Sequence, residues 1–140
     1  MRLLSPNDFH HLGVATNNLA RAQASFSALG YSVEGPEFVD PLQGVRLVFM
    51  TGPGPRIELL EPAGEASPLA PWLKVGAPVG YHLAYEVTDL AAALGEFTTA
   101  GLRLVRQPMP AIAFQGRLVA FLSTRSHFLI ELIERSSELS

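Results

Sequence analysis

The sequence predicts an α+β fold made of two copies of one strand–helix–strand–strand–strand module. Three observations predict it. Segments about 71 residues apart carry similar words in the same order. Each half changes from short apolar stretches to helical apolar spacing and back. A glycine follows each helical stretch, where a left-handed residue would end the helix. The chain has 140 residues, 48% apolar and 16% charged. That is one domain's length with ample core material, and it excludes a disordered chain. Cys is absent, which excludes a disulfide framework, a thiolate zinc site and a cysteine nucleophile. The formal net charge of −3 lacks the basic footprint of a nucleic-acid binder. No run reaches the roughly 18 apolar residues of a membrane helix, and Met1–Asp8 does not read as a signal peptide. A cytoplasmic domain with no membrane partner is the expectation.

The repeat is legible residue by residue. His11-Leu12-Gly13-Val14-Ala15 aligns with His82-Leu83-Ala84-Tyr85-Glu86 at an offset of 71, kept through Leu19/Leu90, Phe26/Phe97 and Gly30/Gly101. Gly44-Val45-Arg46-Leu47-Val48-Phe49-Met50 matches Gly116-Arg117-Leu118-Val119-Ala120-Phe121-Leu122 with a one-residue slip. Ile57-Glu58-Leu59-Leu60-Glu61 matches Ile130-Glu131-Leu132-Ile133-Glu134 at an offset of 73. The chain thus reads as a single domain over 1–140, with module one at about 9–62, a connection at 63–79 and module two at about 80–134.

In order, the first strands are Phe9–Thr16 and Tyr81–Val87. Asn17/Asn18 and Thr88/Asp89 offer oxygens that cap a helix. Leu19, Ala22, Phe26 and Leu29 fall at helical spacing, as do Leu90, Leu94, Phe97 and Ala100. Tyr31–Val33 and Leu102–Val105 are the second strands, Val45–Met50 and Arg117–Leu122 the third, and Arg56–Leu60 and Phe128–Ile133 the fourth. Between halves, Pro62, Pro68, Pro71 and Pro78 mark a connection with one helical turn near Pro68–Leu73. Pro108–Phe114 reads either as a rim over a pocket or as an edge strand kept short by its prolines.

Strand alternation isolates four residues. Leu12 and Val14 share one face and His11, Gly13 and Ala15 the other; Leu83, Tyr85 and Val87 likewise oppose His82, Ala84 and Glu86. Glu58 stands between Ile57 and Leu59, and Glu131 between Ile130 and Leu132. A mid-strand carboxylate among apolar neighbours calls for a partner or a bound ion. Two imidazoles and two carboxylates at matching places suit one divalent transition metal. The competing interpretation makes the histidines core residues and the glutamates ordinary exposed positions. His10, His127 and Glu86 read as structural or solvated. Arg46 and Arg117 hold matching places where they either pair with an anionic substrate group or stand as exposed strand charges. Phe49, Phe121, Phe114 and Met109 line a pocket or fill a core.

His11-Leu12-Gly13-Val14, Ile57–Pro62, Tyr81–Val87, Arg117–Leu122 and Leu129–Leu132 carry a family likeness. Over about residues 9–134 the chain resembles the vicinal oxygen chelate (glyoxalase/bleomycin-resistance/dioxygenase) superfamily. Gln43-Gly44-Val45-Arg46 and Gly116–Leu122 look most like its methylmalonyl-CoA epimerase group. The resemblance implies paired βαβββ modules forming a cupped, open eight-stranded barrel around a metal, with helices outside. It implies His11, Glu58, His82 and Glu131 as metal ligands. The epimerases usually carry Gln where this chain has Glu58, and a catalytic Glu where it has Leu42. Asp40 is the nearest carboxylate, and either replaces that base or belongs to an Asp40-Pro41 turn.

The chemistry implied is that of a metal-dependent isomerase, epimerase or lyase. One divalent ion (Zn, Ni, Co, Mn or Fe) polarises a carbonyl or enolate oxygen, and Glu131 or Asp40 moves a proton at the adjacent carbon. Arg46, Arg117 and Phe121 are the candidate substrate contacts, and the substrate is a small molecule, either an acyl thioester or a keto acid. A homodimer is the expected assembly. The rivals are an Fe(II) ring-cleaving dioxygenase, which Glu58 argues against by filling a position that oxygen chemistry needs, and a non-catalytic, drug-sequestering protein, which a full ligand set argues against.

Overall fold

Two asparagine- and aspartate-capped helices divide the chain's strands into matching sets. The computed structural model describes residues 4–64, 67, 69, 73 and 79–136. The strands are β1 (Phe9–Ala15), β2 (Ser32–Asp40), β3 (Val45–Thr51), β4 (Ile57–Pro62), β5 (Val79–Val87), β6 (Arg103–Pro110), β7 (Leu118–Ser123) and β8 (Leu129–Glu134). The helices are α1 (Leu19–Ala28) and α2 (Leu90–Thr99). Two compact units are distinguished, one from His11 to Tyr81 and one from His82 onward together with the chain up to His10. The helical turn expected near Pro68–Leu73 falls largely outside the described residues. Among the described residues, no helix is long and apolar enough to cross a membrane.

Each helix starts and stops as its sequence dictates. The Asn18 side chain accepts from Arg21 N at 2.9 Å, and Asp89 from Ala92 N at 3.0 Å. Each cap satisfies a first-turn donor that has no partner within the helix. At the other end Gly30 (φ +108°) and Gly101 (φ +105°) turn the chain left-handed. Tyr31 N then reaches Phe26 O at 3.1 Å, and Leu102 N reaches Phe97 O at 3.0 Å, closing the last turn.

Below the helices, strand alternation builds two small cores. α1 buries Leu19 and Ala22 against Val14, Val48, Met50, Ile57 and Leu59. α2 buries Leu90 and Phe97 against Val87, Ala120, Leu122 and Leu132. Each of these side chains larger than alanine contributes about 1.5–3 kcal/mol on leaving water. Helical spacing overreached at Leu29, which caps the C-terminus of α1 and is 66% exposed.

The first unit runs β2-β3-β4-β1, with β1 parallel to β4; the second runs β5-β8-β7-β6, with β5 parallel to β8. The second strands are longer than the sequence indicated. β2 extends through Pro36 to Asp40, and β6 through Pro108 to Pro110. Both are edge strands, where a missing N–H costs no ladder bond. Register shifts at Glu34/Phe38, Leu104/Arg106 and Arg106/Met109 absorb the irregularity. The edge-strand interpretation of Pro108–Pro110 holds, and Ile112–Phe114 forms a short 3-10 turn.

A long-range tie secures the second unit. Asp8, at the end of a 3-10 turn before β1, accepts from Arg135 at 2.8 Å and from Ser5 N at 2.9 Å. The Ser5 backbone bond first, and Arg135 next, hold the Asp8 carboxyl below its ordinary range. This contribution to stability is therefore present above the ordinary carboxylate pKa and is lost as pH falls through the lowered value. In acid titration followed by circular dichroism, the stability difference between wild type and Asp8→Asn should shrink across that window. A second test concerns packing. A Cβ at Gly52 would lie 2.8 Å from Tyr31 Cα. Gly52→Ala should therefore destabilise by about 1–3 kcal/mol in urea unfolding.

Candidate metal centre

The strand face turned away from each helix carries the candidate ligands. In the first unit Gly13 lies opposite Glu58 across the parallel β1/β4 pair. His11, two residues before Gly13, points the same way. His11 Nε2 lies 3.0 Å from Glu58 Oε1. Phe49 faces Glu58 across β3/β4 and sets its ring edge-on to His11, at 5.2 Å and 81°. The second unit repeats this register. Ala84 lies opposite Glu131, His82 precedes it by two, and His82 Nε2 lies 3.2 Å from Glu131 Oε1. Phe121 faces Glu131 across β7/β8 and meets His82 edge-on at 5.5 Å and 86°.

All four side chains are out of water, with His11 at 0%, His82 at 1%, Glu131 at 2% and Glu58 at 4% exposure. The core-histidine, exposed-glutamate alternative fails on that last pair. His11, Glu58, His82 and Glu131 make up a group that could hold a metal ion, one potential ligand atom of each lying within 4.8 Å of the others. The donor chemistry fits. Ligands about 2.1 Å from an ion lie about 3.0 Å apart at right angles and about 3.4 Å apart at the tetrahedral angle. The measured His–Glu separations of 3.0 and 3.2 Å fall in that interval.

The other candidates are placed as follows. Asp40 is buried at the end of β2. Its Oδ1 accepts from Leu42 N at 3.0 Å and Gln43 N at 3.1 Å, and its Oδ2 from Gln43 Nε2 at 3.2 Å. The turn expected at Asp40-Pro41 is therefore present. Leu42 is 56% exposed. Arg46 meets Glu37 at 3.3 Å and Glu61 at 3.8 Å on an exposed face. Arg117 meets Glu86 at 2.9 Å and lies over the Phe114 ring. Glu86 is thus ion-paired and half-buried rather than simply solvated, a pairing across 31 residues that strand alternation does not reveal. His10 packs edge-on against Phe114. His127 is exposed in the β7–β8 turn, as expected. Met109 is half-buried on β6 and Phe114 is buried.

Comparison with known proteins places this arrangement in a class. Residues 10–121 match the Glyoxalase/Bleomycin resistance protein/Dioxygenase superfamily. The chain belongs to that superfamily. Within it, the similarity is to methylmalonyl-CoA epimerases. It is 37% identical to the ethylmalonyl-CoA/methylmalonyl-CoA epimerase of Cereibacter sphaeroides, over 81% of this chain and 85% of the relative. Its eight-stranded open sheet with two helices superposes on methylmalonyl-CoA epimerase from Mycobacterium tuberculosis at a TM-score of 0.80 and 29% identity, over 97% and 95% of the two chains. A variant of Streptomyces coelicolor methylmalonyl-CoA epimerase in complex with 2-nitronate-propionyl-CoA matches at a TM-score of 0.76 and 26% identity, over 93% and 95%.

Ligand removal provides a direct check. His11→Ala and His82→Ala should each abolish stoichiometric divalent metal in elemental analysis of the purified protein. Each should also abolish the metal-dependent rise in thermal midpoint, which for wild type at a hundredfold excess over Kd corresponds to about 2.7 kcal/mol.

Proposed function

We propose that this chain is a metal-dependent epimerase that moves a proton at the carbon next to an acyl-CoA thioester carbonyl. The observation that carries the proposal is the matched pair of buried His–Glu contacts, gathered in one ligand group. Kinship with an ethylmalonyl-CoA/methylmalonyl-CoA epimerase, and the thioester analogue held by the Streptomyces coelicolor relative, direct the choice of substrate class. Dioxygenase and drug-sequestering functions are not favoured, since the relatives are epimerases.

In this proposal His11, Glu58, His82 and Glu131 hold one divalent ion. The ion would supply positive charge for a substrate oxygen, lowering the cost of removing the neighbouring proton. Glu131 is the proposed base, its carboxylate accepting the proton beside His82. Asp40 is proposed to return a proton, its position held by the Leu42 and Gln43 bonds. Phe49 and Phe121 keep water from the imidazoles they pack against. Phe121 is also proposed to touch substrate. Arg46 and Arg117 are proposed partners of an anionic substrate group, in exchange for their present carboxylate contacts. A homodimer in the cytoplasm belongs to the same proposal.

Solvent deuterium exchange into methylmalonyl-CoA, followed by mass spectrometry, tests this reading. Wild-type protein loaded with Co(II) should exchange the proton on the carbon next to the thioester. Glu131→Gln should slow exchange by about a hundredfold or more. Absence of exchange with the loaded wild type would sink the proposal. Asp40→Asn should impair epimerisation, read by chiral analysis, more than exchange; equal losses would return Asp40 to a turn residue.

A further inference from the structure

One cleft lies outside the metal centre and is lined by unpaired cations. It is formed where β6 begins and β7 turns into β8, with a volume of about 250 Å³. Its lining residues are Gly101, Arg103, Ser123, Thr124, Arg125 and His127. None of these is acidic. Four other arginines, Arg46, Arg56, Arg117 and Arg135, each meet a carboxylate. Arg103 and Arg125 form no ion pair among the described residues, in a chain whose formal net charge is −3.

The turn that presents three of these residues, Thr124, Arg125 and His127, is built tightly. His127 N donates to Thr124 O at 2.9 Å and Thr124 N to Phe128 O at 3.0 Å. Thr124 Oγ1 accepts from Phe128 N at 3.0 Å and shares a proton with Ser126 Oγ at 3.0 Å. His127 is held at φ +69°, a left-handed backbone uncommon outside glycine. Arg103 stands opposite Ser123 across β6/β7. Ser123 follows Phe121 by two residues on β7, so it shares that residue's face about 7 Å farther along the strand.

We propose that this cleft is a phosphate-binding subsite that takes the phosphate-bearing end of the thioester carrier. Two guanidinium forks and an imidazole make a donor set that suits phosphate oxygens. A CoA thioester carries its reacting carbon and its phosphates at opposite ends of a flexible arm. A strand with Phe121 beside the ligands and cations at its end meets both. The inference rests on the thioester reading above for the identity of the carrier, while the anion chemistry rests on the cleft alone.

Calorimetric titration of the full chain with CoA, with adenosine 3′,5′-bisphosphate and with inorganic phosphate tests it without turnover. The variant Arg103→Gln/Arg125→Gln should weaken binding of both nucleotides about tenfold or more, the loss of charge-assisted bonds. Arg21→Gln, an exposed change on α1, should leave both within twofold. Inorganic phosphate should bind far more weakly than CoA. With an N-acetylcysteamine thioester of the same acyl group, the double variant should keep wild-type exchange, while KM for the CoA thioester rises. Unchanged CoA binding in the double variant, an equal loss in Arg21→Gln, or inorganic phosphate matching CoA would overturn the subsite. Arginine-dependent CoA binding by a chain that exchanges no thioester proton would overturn the epimerase reading and leave the subsite standing.

Discussion

The contact between a buried imidazole and a buried carboxylate, made once in each unit, is the constraint on which the rest of the structure depends. A carboxylate removed from water costs several kcal/mol unless charge and hydrogen bonds replace its hydration. Glu58 and Glu131 are both in that position, and each has an imidazole nitrogen within about one hydrogen-bond length. A divalent cation satisfies two such carboxylates more completely than neutral histidines can. The register that creates each contact is therefore also the one that the proposed metal centre requires. A shift by one residue along β4 or β8 would carry the glutamate to the helix side.

The rest of each unit serves that register. α1 and α2 cover the apolar faces of their sheets, so the polar residues fall on the opposite side by alternation alone. Gly13 and Ala84 stand beside the glutamates and keep that side open, while Phe49 and Phe121 close it edge-on to the histidines. The caps at Asn18 and Asp89 and the left-handed glycines at 30 and 101 fix the helix ends, and with them which helical residues meet the strands.

The two units are not equivalent outside the four candidate ligands. In the first, Asp40 is drawn into a tight turn and Leu42 stands exposed. In the second, the corresponding connection is longer and includes the 3-10 turn Ile112–Phe114. The strand register does not match Arg46 with Arg117: Phe49 and Phe121 face the two glutamates, which sets Arg46 against Leu118. Arg46 stays near the surface among acidic neighbours, while Arg117 is enclosed by Glu86 and Phe114.

Local pattern by itself determined a good deal. The duplicated words, the period-two alternation around Glu58 and Glu131, the capping residues and the terminal glycines are short-range features, and they located both modules, both helices and all four ligand candidates. Edge-strand length lay beyond that pattern, because Pro36 and Pro108 read as breakers until the sheet order puts their missing N–H groups at an open side. Charge partnerships lay beyond it too. Glu86 finds Arg117 across 31 residues and Asp8 finds Arg135 across 127, contacts that no spacing rule encodes. The burial of Glu58, which alternation left open between ion and solvent, was decided by β1 lying parallel to β4 with glycine at the crossing point. Periodicity assigns a side chain to a face, but only the neighbouring strands decide whether that face is wet.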